Sequence, residues 1–250
     1  MTAAQDFVQR LAQWPRMANV FNPWSEADER DAPAVDAPAI RQQQLAVYLE
    51  CRRASAKIIL IAEALSYRGG RFTGIAMTSE RILLGKDPVL NERATRLNLN
   101  PLCDLRPGLA MRTSNPGTLA RDTDRKDGVY ERTASIVWRT MLDNGFAPMD
   151  FALWNALPFH PFIAGNTQSN RSPSSQELLA TKHILADFIS LFSQPVHFVA
   201  LGRKAERALE DHLPAPVREQ LWRARHPAAR GQARPTRMLD DVVRELTPLQ

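Results

Sequence analysis

Apolar residues recur along this chain in two different periods. Lys57-Ile-Ile-Leu-Ile-Ala62, Phe151–Leu157 and Val196–Leu201 carry apolar runs too short for most helices and rich in β-branched or aromatic residues. Such runs read as strands buried on both faces, as in a parallel sheet. Leu221–Ala224 reads as a short fourth strand. Between them the spacing changes to that of a helix face. Gln5–Trp14 places Phe7, Val8, Leu11 and Trp14 on one side, and Pro15 stops it. Ala39–Arg53 follows, with Ile40, Leu45, Val47, Tyr48 and Leu49 as its apolar contacts. Tyr130–Asn144 turns Ile136, Val137, Met141 and Leu142 inward and ends at Gly145. Ser174–Phe192 opens Ser-Ser-Gln-Glu, like a capping box. Shorter helices are expected at Thr78–Leu84, Asn91–Asn100 and from Gly202 toward Asp211, and Arg234–Leu246 closes the chain. Strand alternating with helix predicts an α/β fold: a three-layer α/β/α domain with a mainly parallel central sheet of about four strands.

This pattern divides the chain into residues 1–54, two helices and an Ala/Pro/Asp-rich linker packed on the core, and residues 55–250, the α/β/α domain. A long polar insert near 105–127, with Pro107, Gly108, Asn115, Pro116 and Gly117, interrupts the second part. A loop of that length is expected to be a binding element or disordered. Hydrophobic content of 44% and charged content of 24% are those of an ordinary globular protein. No apolar run approaches the roughly 20 residues of a membrane span, and the first residues lack a basic segment followed by an apolar core. The expectation is a cytoplasmic protein, a monomer without membrane contact. Cys51 and Cys103 are too few for a four-thiolate zinc or iron–sulfur centre. They read as small semi-buried hydrophobes, without a structural disulfide.

Charge adds a candidate partner. Residues 51–130 hold 14 Lys and Arg against 8 Asp and Glu, and residues 201–250 hold 10 against 7. Two basic stretches suit a polyanion such as single- or double-stranded DNA; a solvated arginine-rich surface is the bland alternative.

The candidate chemistry lies where strands end, because ligands of open parallel sheets bind beyond the carboxyl ends of the strands. The first strand runs into Glu63-Ala-Leu-Ser-Tyr-Arg-Gly-Gly-Arg71, a glycine loop that is neither G-x-G-x-x-G nor a P-loop. The second contains Asn155 and ends in Pro158-Phe-His-Pro161, and the short fourth enters Arg225-His226-Pro227. Alone, Asn155 reads as a buried amide satisfying backbone, and His160 and His226 as turn residues.

Ile61-Ala-Glu-Ala-Leu-Ser-Tyr-Arg-Gly-Gly-Arg-Phe-Thr-Gly-Ile75 resembles the first motif of the uracil-DNA glycosylase superfamily, nearest the branch that reads Gly-Glu-Ala-Pro-Gly. Asn155-Ala-Leu-Pro-Phe-His-Pro161 resembles its second conserved strand end, and His226-Pro227-Ala228 its late His-Pro-Ser motif. The resemblance, in order over roughly residues 55–246, implies a DNA N-glycosylase acting on uracil or another deaminated base in base-excision repair, needing no metal or organic cofactor. It implies Asn155, His226 and Glu63 as catalytic residues, and Ala64, Tyr67, Met77 and Phe159 around the flipped base. It further implies Gly69, Gly70, Arg71, Ser79, Arg225, Arg230 and Gln232 on the DNA. Ala64 stands where the most active branches carry a water-activating Asp, and the branch's iron–sulfur cysteines are absent. Two alternatives stay open: a catalytically weak or inactive nucleic-acid-binding relative, and an unrelated hydrolase using Ser66 with His226.

Overall fold

The computed structural model describes residues 1–90, 110–193, 196–219, 221–227 and 237–247. The expected helix at 91–100 therefore lies outside the described residues. Four strands form a wholly parallel sheet: β2 (Ile58–Ala64), β3 (Phe151–Leu157), β5 (His197–Leu201) and β6 (Trp222–Ala224), in the order β3-β2-β5-β6. A small antiparallel ribbon joins β1 (Val20–Phe21) to β4 (His160–Pro161). The register sets Leu60 beside Leu153 and Ala62 beside Asn155. Strand period two then sends Phe151, Leu153 and Asn155 to one face and Ala152, Trp154 and Ala156 to the other.

Each face is covered by helices. Trp154 stacks on Phe188 of α7 (Ser175–Ser190), with ring centroids 4.6 Å apart. It also meets Phe7 of α1 (Ala3–Ala12) at 5.6 Å and Trp24 at 6.1 Å. Helix α8 (Arg203–His212) packs on the sheet beside α7. On the opposite face Trp138 of α6 (Arg132–Asp143) meets Phe151 edge-on at 5.0 Å. Helix α10 (Leu239–Leu246) lies against α6 and β6. These layers are the α/β/α arrangement that the hydrophobic periods predict.

The outer edge of β3 would expose unpaired backbone groups. Helix α2 (Ala37–Glu50) and the turn after it close that edge. The Leu153 N–H donates to the Tyr48 hydroxyl at 2.8 Å, and Arg52 Nε donates to the Phe151 carbonyl at 2.9 Å. The Arg52 guanidinium lies 3.7 Å from the Tyr48 ring centroid. Cys51, at the end of α2, is disulfide-bonded, which corrects the expectation of a free thiol.

Of the two expectations for the polar insert, disorder does not hold for its described part, which is folded, with a 3-10 turn at Pro116–Thr118 and α5 (Asp122–Asp127). Glu80, in the one-turn helix α4 (Glu80–Leu83), holds it in place. The fully buried Glu80 carboxylate accepts the Thr113 and Ser114 N–H groups at 2.9 Å each, the Ser114 hydroxyl at 2.6 Å and the Val129 N–H at 3.0 Å. Arg112 donates to the Asp124 and Arg125 carbonyls at 2.8 and 2.6 Å.

Candidate active site

A cavity of about 590 Å³ opens at the carboxyl end of the sheet. Ala62, Glu63 and Ala64 from the end of β2 form one wall, continued by Leu65, Ser66 and Arg68 in the loop. His226, just past β6, and Met77 face the same space. Tyr130 to Thr133, where α6 begins, and the Asn170–Ser172 segment before α7 complete it. Two of the three strand ends singled out from sequence, those of β2 and β6, thus line one cavity, and the last two walls are additions that strand-end reasoning does not reach.

Asn155 is buried, one position before the last two residues of β3, and in register with Ala62 of the cavity wall. Its Oδ1 has no hydrogen-bond partner. A buried amide oxygen without a donor costs on the order of 1–3 kcal/mol, so the backbone-satisfying reading of this residue fails. The unspent acceptor lies on the strand next to the cavity wall, on the face of the sheet that carries α6.

His226 is mostly withdrawn from solvent, which pulls its imidazole below the ordinary histidine range; Glu63 opposes that shift weakly. Gly202, at φ 93°, lets the chain leave β5 tightly beside it, and a Cβ there would lie 3.4 Å from the His226 Cβ. Glu63 is turned toward the α7–α8 side. It accepts the Ser172 hydroxyl and stands 3.5 Å from Lys204 Nζ. Those contacts fasten the 170–172 segment to the strand end.

Glu131 is a carboxylate that the sequence analysis did not single out. It occupies the N-cap position of α6 yet makes no side-chain capping bond. The carboxylate lies against Gly69 instead, so closely that a Cβ on Gly69 would fall 1.8 Å from Oε2. Glu131 Oε2 reaches no solvent and has no hydrogen-bond partner. Burial pushes the carboxyl up to about 7, against the lowering pull of Arg68. Arg68 is itself fixed: Nε donates to the Tyr130 carbonyl at 2.9 Å and Nη2 to Asp124 at 2.5 Å.

The remaining expected residues divide. Met77 lines the cavity in the left-handed region at φ 46°, uncommon for a non-glycine residue. Its carbonyl accepts Trp138 Nε1–H at 3.1 Å. Tyr67 and Arg71 face a separate cavity of about 230 Å³ next door. Arg71 is 2% exposed on its side chain, paired with Asp28 at 2.5 Å and Asp31 at 3.4 Å, and stacked 4.4 Å from the Phe21 ring centroid. That satisfied burial corrects its placement on DNA. Phe159 is a core residue between Trp14 and Trp24, which corrects its placement at the base. Ser79 is buried and spends its hydroxyl capping α4 through the Ile82 N–H at 3.4 Å. Gly70 packs on Leu65, and Gly69 on Glu131. Arg225 is half-buried, its N–H bonded to the Arg237 carbonyl at 2.8 Å. Arg230 and Gln232 lie outside the described residues.

His160 has a structural part. Its ring nitrogens stand 3.1 Å from the Leu65 carbonyl and 3.2 Å from the Thr167 carbonyl, tying two cavity loops together. Burial lowers it to about 4, so it is neutral near pH 7. Among the described residues no cluster of His, Cys, Asp and Glu has metal-binding geometry, and no helix is long and apolar enough to cross a membrane.

A family model for the uracil DNA glycosylase superfamily matches residues 53–247. The chain belongs to that superfamily. Among solved structures, wild-type SMUG2 of Pedobacter heparinus superposes with a TM-score of 0.54 at 14% identity, covering 91% of this chain and 88% of that one. At that identity the likeness speaks for the shared glycosylase-superfamily fold. No curated protein matches the chain.

Proposed function

We propose that this protein is a DNA glycosylase that flips uracil, or a related deaminated base, out of DNA and hydrolyses its N-glycosidic bond. The observation that carries this reading is the unpartnered, buried amide oxygen of Asn155, in register with Ala62 of the cavity wall. An amide offers one acceptor and donors in a fixed plane, the pair that matches uracil's N3–H and O4. His226, just past the strand two places across the sheet from β2, is neutral near pH 7 and donates one N–H to O2 as the bond to the sugar lengthens. The glycosidic electron pair leaves on the base, and fixed donors stabilise that charge. Arg68 and Arg132 in the cavity wall add positive potential for the departing anion and the flanking phosphates.

The test is an oligonucleotide with one deoxyuridine, followed by alkaline cleavage of abasic sites. Cleavage by the wild type, lost in Asn155→Ala and His226→Ala, supports the reading. Ala64 in the cavity wall favours the second reading, a binder without turnover. Salt-sensitive DNA binding with no product on uracil, hypoxanthine or xanthine would establish it.

A further inference from the structure

We propose that the carboxylate of Glu131 activates water at the sugar C1′, supplying from the start of α6 the group that Ala64 does not. This rests on the glycosylase reading above. Three features of the geometry point the same way. Glu131 holds an N-cap position, where a side chain ordinarily satisfies the helix's first amides, and it leaves them unserved. The side chain instead reaches across to the loop after β2 and occupies space that exists only because residue 69 is glycine. Its Oε2 then has no donor, in a wall of the same cavity that holds Ala64 and His226. A buried carboxylate oxygen left without a partner is costly; with Oε2 shut from solvent against Gly69, the other oxygen of this cavity-lining carboxylate is the one that meets a water or a developing sugar cation.

The charged and titratable groups facing the same cavity are Arg68, Arg121, Arg132, Arg171, Glu63 and the neutral His226. Glu63 is occupied by Ser172 and Lys204, which leaves Glu131 as the carboxylate with an idle oxygen among those lining residues. In the reaction the C1′–N1 bond breaks and its electron pair leaves on the base. Glu131 takes one proton from water as the water oxygen bonds to C1′, and that proton returns through solvent to the base anion. A basicity raised toward neutrality suits this task, because a general base works best near the operating pH.

Two measurements test it. In single turnover on the deoxyuridine oligonucleotide, Glu131→Gln should slow base release about 100-fold or more, as loss of a general base does, with DNA affinity unchanged. Glu131→Asp should recover part of the rate. In parallel, binding is measured to DNA carrying a cationic pyrrolidine in place of the deoxyribose and to DNA carrying a neutral tetrahydrofuran. The wild type should prefer the cation by about tenfold or more, as expected for a close carboxylate, and Glu131→Gln should lose that preference. A Gln variant with wild-type turnover, or one that keeps the cation preference, overturns the proposal. If the wild type releases no base, the glycosylase reading fails separately. The analogue pair still decides: a preference lost in Glu131→Gln keeps the carboxylate at the sugar, and none in the wild type removes it.

Discussion

Glu80 and Glu131 are two inward-turned carboxylates on neighbouring elements, and they are treated in opposite ways. Glu80 receives three backbone amides and a hydroxyl, and the described part of the polar insert hangs on those bonds. Glu131 keeps an oxygen that nothing in the fold addresses. The first resembles a structural ion, whose desolvation is offset by a full set of donors. The second has only the pull of Arg68 against its desolvation and no donor on Oε2, as residues held ready for a ligand do. Asn155 belongs with Glu131 in this respect: Glu131 lines the cavity, and Asn155 is in register with Ala62 of its wall.

The contrast can be broken at either end. Glu80→Ala strands three amides and should cost about 3–5 kcal/mol in urea unfolding, with amide exchange at 113–129 accelerated most. A loss below about 1 kcal/mol would remove Glu80 from its structural part. Glu131→Gln should act in the other direction. The folded carboxyl titrates near 7 against an ordinary 4.5, so the stability tied to its proton is full below pH 4.5 and lost as pH rises to about 7. The variant should therefore match the wild type near pH 4.5 and exceed it by about 1–3 kcal/mol at pH 8. His160 has the reverse slope. Its folded value near 4 lies under an ordinary 6.5, so its contribution is full above pH 6.5 and lost on acidification toward 4. The two slopes oppose each other between pH 4.5 and 6.5, and removing Glu131 should expose a steeper acid loss in that window. The smallest effect is expected from Asn155→Leu, which replaces an unsatisfied amide by an apolar group. It should leave stability unchanged or raise it by up to about 1 kcal/mol while abolishing base release, whereas a large loss would make Asn155 a structural residue.

Much of this fold is legible in the residues. The β3 span Phe151–Leu157 is bounded correctly because an unbroken apolar run has one low-cost home in a layered fold. Helix α7 begins after Ser174 because its capping box is written locally, Ser174 with Glu177. The site is legible only where it sits on strand ends. Glu131 escapes notice because a Glu beside Arg132 before an amphipathic helix reads as a solvated first-turn charge. Only the missing Cβ of Gly69, far away in the chain, gives it a different address. Arg71 misleads for the complementary reason: its partners Asp28 and Asp31 lie in a stretch that composition marks as linker.

That pairing has a practical consequence for anyone shortening the chain. The superfamily match starts at residue 53, an inviting place to cut. A chain begun there would keep Arg71 but forfeit Asp28, Asp31 and the Phe21 ring it stacks on. It would also strip Phe7 and Trp24 from Trp154 and leave the β3 edge without Tyr48 and Arg52. The border of kinship falls inside the folding unit, and the leading segment is as much a part of the domain as the strands it covers.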